Sequence, residues 1–134
     1  MQTEKIKVKA ITFTYKEGYT YQSDALPLTV PTFKQANALL QTWSGTAPKN
    51  GAYDKTDFVV EWENGQTYKG TYDLKHWEVE TPDLAKHMTS YLSFLAGINK
   101  ADWMDQARYD AYIASNGGPD KECIAMLETL SFED

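Results

Sequence analysis

The sequence predicts an α+β domain: an antiparallel four-stranded sheet in ββα-ββα order, covered on one face by helices, with two further C-terminal helices. Three observations predict it. Two stretches, Lys5 to Tyr21 and Thr56 to Leu74, are rich in the β-branched and aromatic residues that favour strand. Each precedes a Thr-initiated run with apolar residues at helical spacing. The chain has 134 residues and is 42% hydrophobic, which suits one domain and one modest core. The expected organisation is a single domain over 1–134, with ββα units at 5–45 and 55–97 and helices over 100–130.

In the first stretch Ile6, Val8 and Ala10 alternate with lysines, and the alternation resumes on Ile11, Phe13 and Tyr15. That one-residue slip predicts a bulge near Ala10. The second strand is expected to continue through Tyr19 and Tyr21, with Pro27 and Pro31 limiting it to an edge or an irregular segment. Thr32 reads as an N-cap with Gln35 at the capping-box position. Phe33, Ala36, Leu39, Leu40 and Trp43 then form a helical face that Gly45 ends.

The second hairpin turns at Asn64-Gly65. A two-residue loop would set polar residues opposite apolar ones. A three-residue loop of Glu63, Asn64 and Gly65 pairs Trp62 with Gln66, Val60 with Tyr68 and Phe58 with Gly70, and keeps the apolar residues on one face. The same loop at Lys16-Glu17-Gly18 would pair Tyr15 with Tyr19 and Phe13 with Tyr21. Both glycines are then expected in the left-handed conformation. Most of the sheet aromatics (Tyr15, Tyr19, Tyr21, Trp62, Tyr68, Tyr72) become packing residues. The open face carries Thr12, Thr14, Thr20, Glu61, Thr67, Lys69 and Thr71. The two hairpins share the pattern Gly-x-Thr-Tyr at an offset of 47, which suggests a duplicated ββα unit.

Thr81 and Pro82 are expected to start the next helix, with Leu84, Met88, Tyr91 and Leu95 on its apolar face and Gly97 at its end. A third helix over Lys100 to Ser115 would present Trp103, Ala107, Ala111 and Ala114 on one side. Asn116-Gly117-Gly118-Pro119 breaks it, and a fourth helix from about Asp120 to Leu130 presents Ile124, Leu127 and Leu130.

Composition excludes several classes. A single Cys123 forbids an intrachain disulfide, so a disulfide-stapled scaffold is excluded. No apolar run reaches the roughly 18–20 residues of a membrane span, and Met1 to Lys5 lacks a signal-peptide stretch. A cytoplasmic location is therefore expected. The net charge of -6 divides unevenly: residues 1–50 carry +3 and residues 51–134 carry -9. That acidity disfavours a grip on phosphate backbones and suits a basic protein partner.

Catalytic motifs are scarce. No phosphate loop, nucleophile elbow or zinc-protease motif occurs. Cys123, between Glu122 and Ile124, reads as a partly buried structural thiol. The densest polar cluster contains Asp73, His76, Asp83 and His87, with Asp83 and His87 on one helix face. It could serve a metal or acid–base chemistry, but spacing fixes no third ligand. Otherwise it is a solvated connection with His87 capping or packing on Trp77. No cofactor and no catalytic residue is expected.

The stretch from Tyr53-Asp54-Lys55 through Trp62-Glu63-Asn64-Gly65 to Tyr68-Lys69-Gly70-Thr71-Tyr72-Asp73-Leu74, continuing to the helix with His87, resembles a small domain associated with large polyvalent proteins of phages and conjugative plasmids. The resemblance spans about residues 53–97. It carries over no site residues. It implies a protein of a mobile element that helps the element survive in a bacterial host, a group that includes anti-CRISPR and anti-restriction inhibitors.

Three readings follow. The first is a non-enzymatic protein-binding module whose acids (Asp102, Asp105, Asp110, Glu122, Glu128) and aromatics (Tyr53, Trp77, Tyr109, Tyr112) occupy a basic, nucleic-acid-binding surface of a host defence complex. It expects a basic host protein or nucleoprotein as partner, no direct nucleic acid and no membrane. The second is an enzyme or metal protein built on the Asp73/His76/Asp83/His87 cluster. The third is a nucleic-acid binder using Lys5, Lys7 and Lys9 on the first strand.

Overall fold

The structure, a computed structural model, describes residues 4–17, 26–45, 54–74 and 81–134. It is α+β, with one four-stranded antiparallel sheet and four helices among those residues. The elements run β1 (Val8–Glu17), β2 (Leu28–Val30), α1 (Phe33–Gly45), β3 (Asp54–Trp62), β4 (Thr67–Leu74), α2 (Leu84–Leu95), α3 (Gln106–Ser115) and α4 (Lys121–Thr129). The strand order is β2-β1-β3-β4.

The sheet is built on the long central strands. Ile11 faces Val60, Thr12 faces Val59 and Phe13 faces Phe58, so the pairing is symmetric about Thr12 and Val59. Those two residues are 47 positions apart, the offset at which the hairpin sequences match. The expected bulge is present, as a register shift between Val8 and Ala10. A second shift between Phe13 and Tyr15 turns the next side chain over. Tyr15 therefore lies opposite Asp57 and is 54% exposed, which corrects its assignment to the core. The fully buried Thr56 meets this irregularity by donating its Oγ1 proton to the Tyr15 carbonyl at 2.8 Å.

The β3–β4 turn is the expected three-residue loop. Trp62 N donates to Gln66 O at 2.9 Å, Val60 pairs with Tyr68 and Phe58 with Gly70, and Gly65 has φ 89. The first hairpin differs. Phe13 lies opposite Leu28 and Ile11 opposite Val30, so Leu28 takes the place opposite Phe13 that was expected for Tyr21. Leu28 and Val30 offer two inward apolar side chains, and the flanking Pro27 and Pro31 hold this strand to three residues at the sheet edge. Tyr19, Tyr21, Thr20 and the conformation of Gly18 lie outside the described residues.

Helices cover one face. The core joins Ile11, Phe13, Phe58, Val60 and Trp62 of the sheet to Leu40 and Trp43 of α1 and Leu84 and Met88 of α2. Phe13 meets Trp43 edge-on, with ring centroids 5.0 Å apart. Full burial of each such side chain contributes about 1.5–3 kcal/mol. The opposite face shows Thr14, Thr67, Lys69 and Thr71 to solvent, as alternation requires.

The helix starts follow their caps. Thr32 Oγ1 accepts from Gln35 N at 3.1 Å, and Asp134 supplies a second cap, accepting from Phe33 N at 2.6 Å and Lys34 N at 2.9 Å. Helix α2 begins later than its Thr-Pro pair suggests, because Asp83 caps it by accepting from Lys86 N at 3.0 Å. Its buried face is Leu84, Met88 and Leu92, so Tyr91 is turned outward rather than packed. The segment after α4 returns to the sheet. Ile6 bridges Leu130 in parallel, Trp62 Nε1 donates to Ser131 O at 2.8 Å, and Phe132 packs on the Trp62 ring.

Candidate functional site

The end of α2, the turn after it and α3 form one continuous stretch of chain that is rich in exposed residues. Gly97, at φ 77, ends α2, and the N–H groups of Ile98 and Asn99 satisfy the Ser93 carbonyl. The chain then turns at residues 101–104, where Met104 N donates to Ala101 O at 3.0 Å. Met104 is buried and its neighbour Trp103 is 77% exposed. Asp105 caps α3, its Oδ1 accepting from Arg108 N at 2.8 Å. Helix α3 therefore starts at Gln106, six residues later than the apolar pattern suggests, and Trp103 sits on the turn before it.

Only Tyr109 of α3 is buried. Its hydroxyl donates to the Phe94 carbonyl at 2.6 Å, near the C-terminal end of α2. Burial pushes its phenol pKa up, the Asp110 charge adds to that, and a backbone hydrogen bond from Gly97 opposes it. Phe94 lies 5.2 Å from the Tyr109 ring and 5.3 Å from Tyr112. Tyr109 thus packs α3 onto α2 and is not a surface contact, a correction to its place among the partner-binding aromatics. The phenol adds a second donor to the Phe94 carbonyl, which also accepts from Gly97 N at 3.3 Å.

The consequence is an uncovered helix face. Ala107, Ala111 and Ala114, expected on one side of the helix, are all exposed. They recur at i, i+4 and i+7, so they form one stripe. Asp110 lies beside it, accepting from Gln106 Nε2 at 2.8 Å. Asp102 is exposed in the preceding turn. Tyr91, Ile98, Trp103 and Tyr112, four of the five exposed large hydrophobic residues among those described, come from this part of the chain.

Helix α4 borders the same region. Asp120 caps it, accepting from Glu122 N at 2.9 Å and Cys123 N at 3.1 Å. Glu122 and Glu128 are exposed as expected. Cys123 is buried, and desolvation first, then the Asp120 carboxylate and Glu122, pushes its thiol up to about 11. That protonated thiol is a structural group. A hollow of about 430 Å³ opens between α3 and α4, lined by Tyr112, Asn116, Pro119 and Asp120 among others.

Tyr53, Trp77 and His76 lie outside the described residues. Asp83 is a helix cap. His87 holds the Thr71 carbonyl at 3.0 Å and packs on Tyr72 and Phe58. Among the described residues no group of three or more His, Cys, Asp and Glu is placed to hold a metal ion. Lys5 donates to the Leu127 carbonyl near the end of α4 at 3.2 Å, while Lys7 and Lys9 are exposed. No helix among the described residues is long and apolar enough to cross a membrane. Periodicity found the alanine stripe and the acids around it, but not Trp103 as a projecting side chain. Asp105, an N-cap residue type two positions after Trp103, was the available clue.

No protein-family model, no curated protein and no solved structure matches this chain.

Proposed function

We propose that this chain is a non-enzymatic binding module that occupies a basic, nucleic-acid-binding surface of another protein. The carrying observation is the uncovered Ala107–Ala111–Ala114 stripe of α3, preceded by the exposed Trp103 and bordered by Asp102 and Asp110. Small side chains let a partner approach the helix closely, a projecting Trp supplies an anchor, and the acids select a basic rim. The hollow beside Tyr112 and Asp120 offers an aromatic wall and a carboxylate to a cationic side chain. The -9 of residues 51–134 acts over the same half of the sequence. The resemblance of residues 53–97 to a domain of phage and plasmid polyvalent proteins supports a counter-defence role, of the anti-CRISPR or anti-restriction type, in the bacterial cytoplasm. The ββα-ββα order fits a duplicated unit, supported by the shared offset of 47 in sequence and in β1–β3 pairing.

The test is capture from a nuclease-treated bacterial lysate by the wild type and by a variant with Asp102→Lys and Asp110→Lys. Neither residue caps a helix, so α3 keeps its Asp105 cap. The expected partner is a basic nucleic-acid-binding protein, retained at least about tenfold less by the variant, a loss of about 1.4 kcal/mol. Equal retention by both proteins overturns the proposal.

A further inference from the structure

The outer edge of β4 is a second, independent surface. Strands β3 and β4 pair without a register shift from Asp54 opposite Leu74 to Glu61 opposite Thr67. Trp62 and Gln66 are hydrogen-bonded at the turn. Hydrogen-bonded and non-hydrogen-bonded pairs alternate along an antiparallel ladder. Tyr68, Gly70 and Tyr72 therefore direct their backbone groups at β3, and Thr67, Lys69, Thr71 and Asp73 direct theirs outward. The short Thr71 Oγ1 to Asp57 Oδ1 bond of 2.7 Å agrees, since side chains of non-hydrogen-bonded pairs lie closest. No described strand pairs with this edge. At the other edge, β2 is three residues long and flanked by prolines.

We propose that the outer edge of β4 pairs antiparallel with β4 of a second copy of this chain, and that His87 restrains the pairing. Of the registers that set outward residues opposite one another, the one centred on Thr71 places Lys69 opposite Asp73 of the second copy, twice by symmetry. Centring on Lys69 or on Asp73 sets like charges face to face, and centring on Gly70 or on Tyr72 sets Thr71 opposite Lys69 or Asp73, so that only the Thr71-centred register pairs opposite charges. The charges thus select one self-complementary register. His87 holds the Thr71 carbonyl at 3.0 Å, the centre of that register, and its ring packs on Tyr72. Pairing must displace it, which is how an edge strand is kept from indiscriminate association.

Sedimentation velocity across a concentration series tests this. His87→Leu keeps apolar bulk against Tyr72 and removes the ring nitrogen. Its dimer dissociation constant is expected to fall at least about tenfold below the wild type. Two further chains carry His87→Leu with either Lys69→Glu or Asp73→Lys. Their mixture is expected to associate at least about tenfold more tightly than either chain alone. If His87→Leu does not fold, as judged by circular dichroism, the same mixture in the His87 background carries the test. Self-association unchanged by His87→Leu, or a mixture no tighter than its components, overturns the proposal, as does a β4 edge that takes only peptides of other proteins.

Discussion

Tyr109 shows how one polar atom decides which face of a helix is buried. Apolar spacing in α3 marks the alanines as one face, but the phenol donates to the Phe94 carbonyl at 2.6 Å and Tyr109 is the side chain of α3 that is buried. Hydropathy patterns weigh side chains and are blind to an acceptor on a neighbouring helix, so this inversion was not legible. Tyr109→Phe is expected to cost about 1 kcal/mol, read as a fall of a few degrees in Tm. Cys123 gives a pH prediction with a definite sign. Its thiol rises from an ordinary 9.0 to about 11 in the folded protein, mainly through desolvation. The folded value is the higher, so this contribution is fully present below pH 9 and is lost as the pH approaches 11. Urea midpoints between those limits are expected to fall more for the wild type than for Cys123→Ala. The buried role of Cys123 was readable from its helical position. The exposure of Trp103 was not, because its burial depends on where α3 starts.

At the scale of elements, local signals were read well and long connections were not. The three-residue turn with Gly65 in the left-handed region followed from face matching alone, since one register puts the apolar side chains together. The first hairpin has the same local pattern, yet β1 pairs with Leu28–Val30, farther along the chain. Register there depends on which apolar pair can close the core edge, and the turn residues do not encode it. Two contacts hold these irregular elements. Thr56→Val removes the bond to the Tyr15 carbonyl at the second bulge and is expected to cost about 1 kcal/mol, the net contribution of one part-buried hydrogen bond. Asp134→Ala removes the second cap of α1, leaving the Thr32 cap, and is expected to cost about 1 kcal/mol, with thermal unfolding as the measurement. The Asp134 cap was invisible in sequence, as its partners are 101 and 100 residues away.

Across the whole molecule, the sheet and the first two helices form the core, and α3 is attached through a single buried side chain. This division separates stability from binding: the alanine stripe, Trp103, Asp102 and Asp110 contribute exposed surface and little packing. The charge asymmetry was legible from counting, and it gains meaning from the uncovered helix beside it. Exposed charges act over about 8 Å at physiological salt and about 3 Å at 1 M, so binding through this surface is expected to weaken steeply with added salt. The most direct test is a titration of the purified captured partner with the wild type and with the Asp102→Lys, Asp110→Lys variant, with the partner's nucleic-acid binding as the readout. Wild-type protein is expected to displace nucleic acid from the partner, and the variant to need at least about tenfold more protein for the same displacement. Equal displacement by both, or a partner that binds nucleic acid and this protein together, would contradict it.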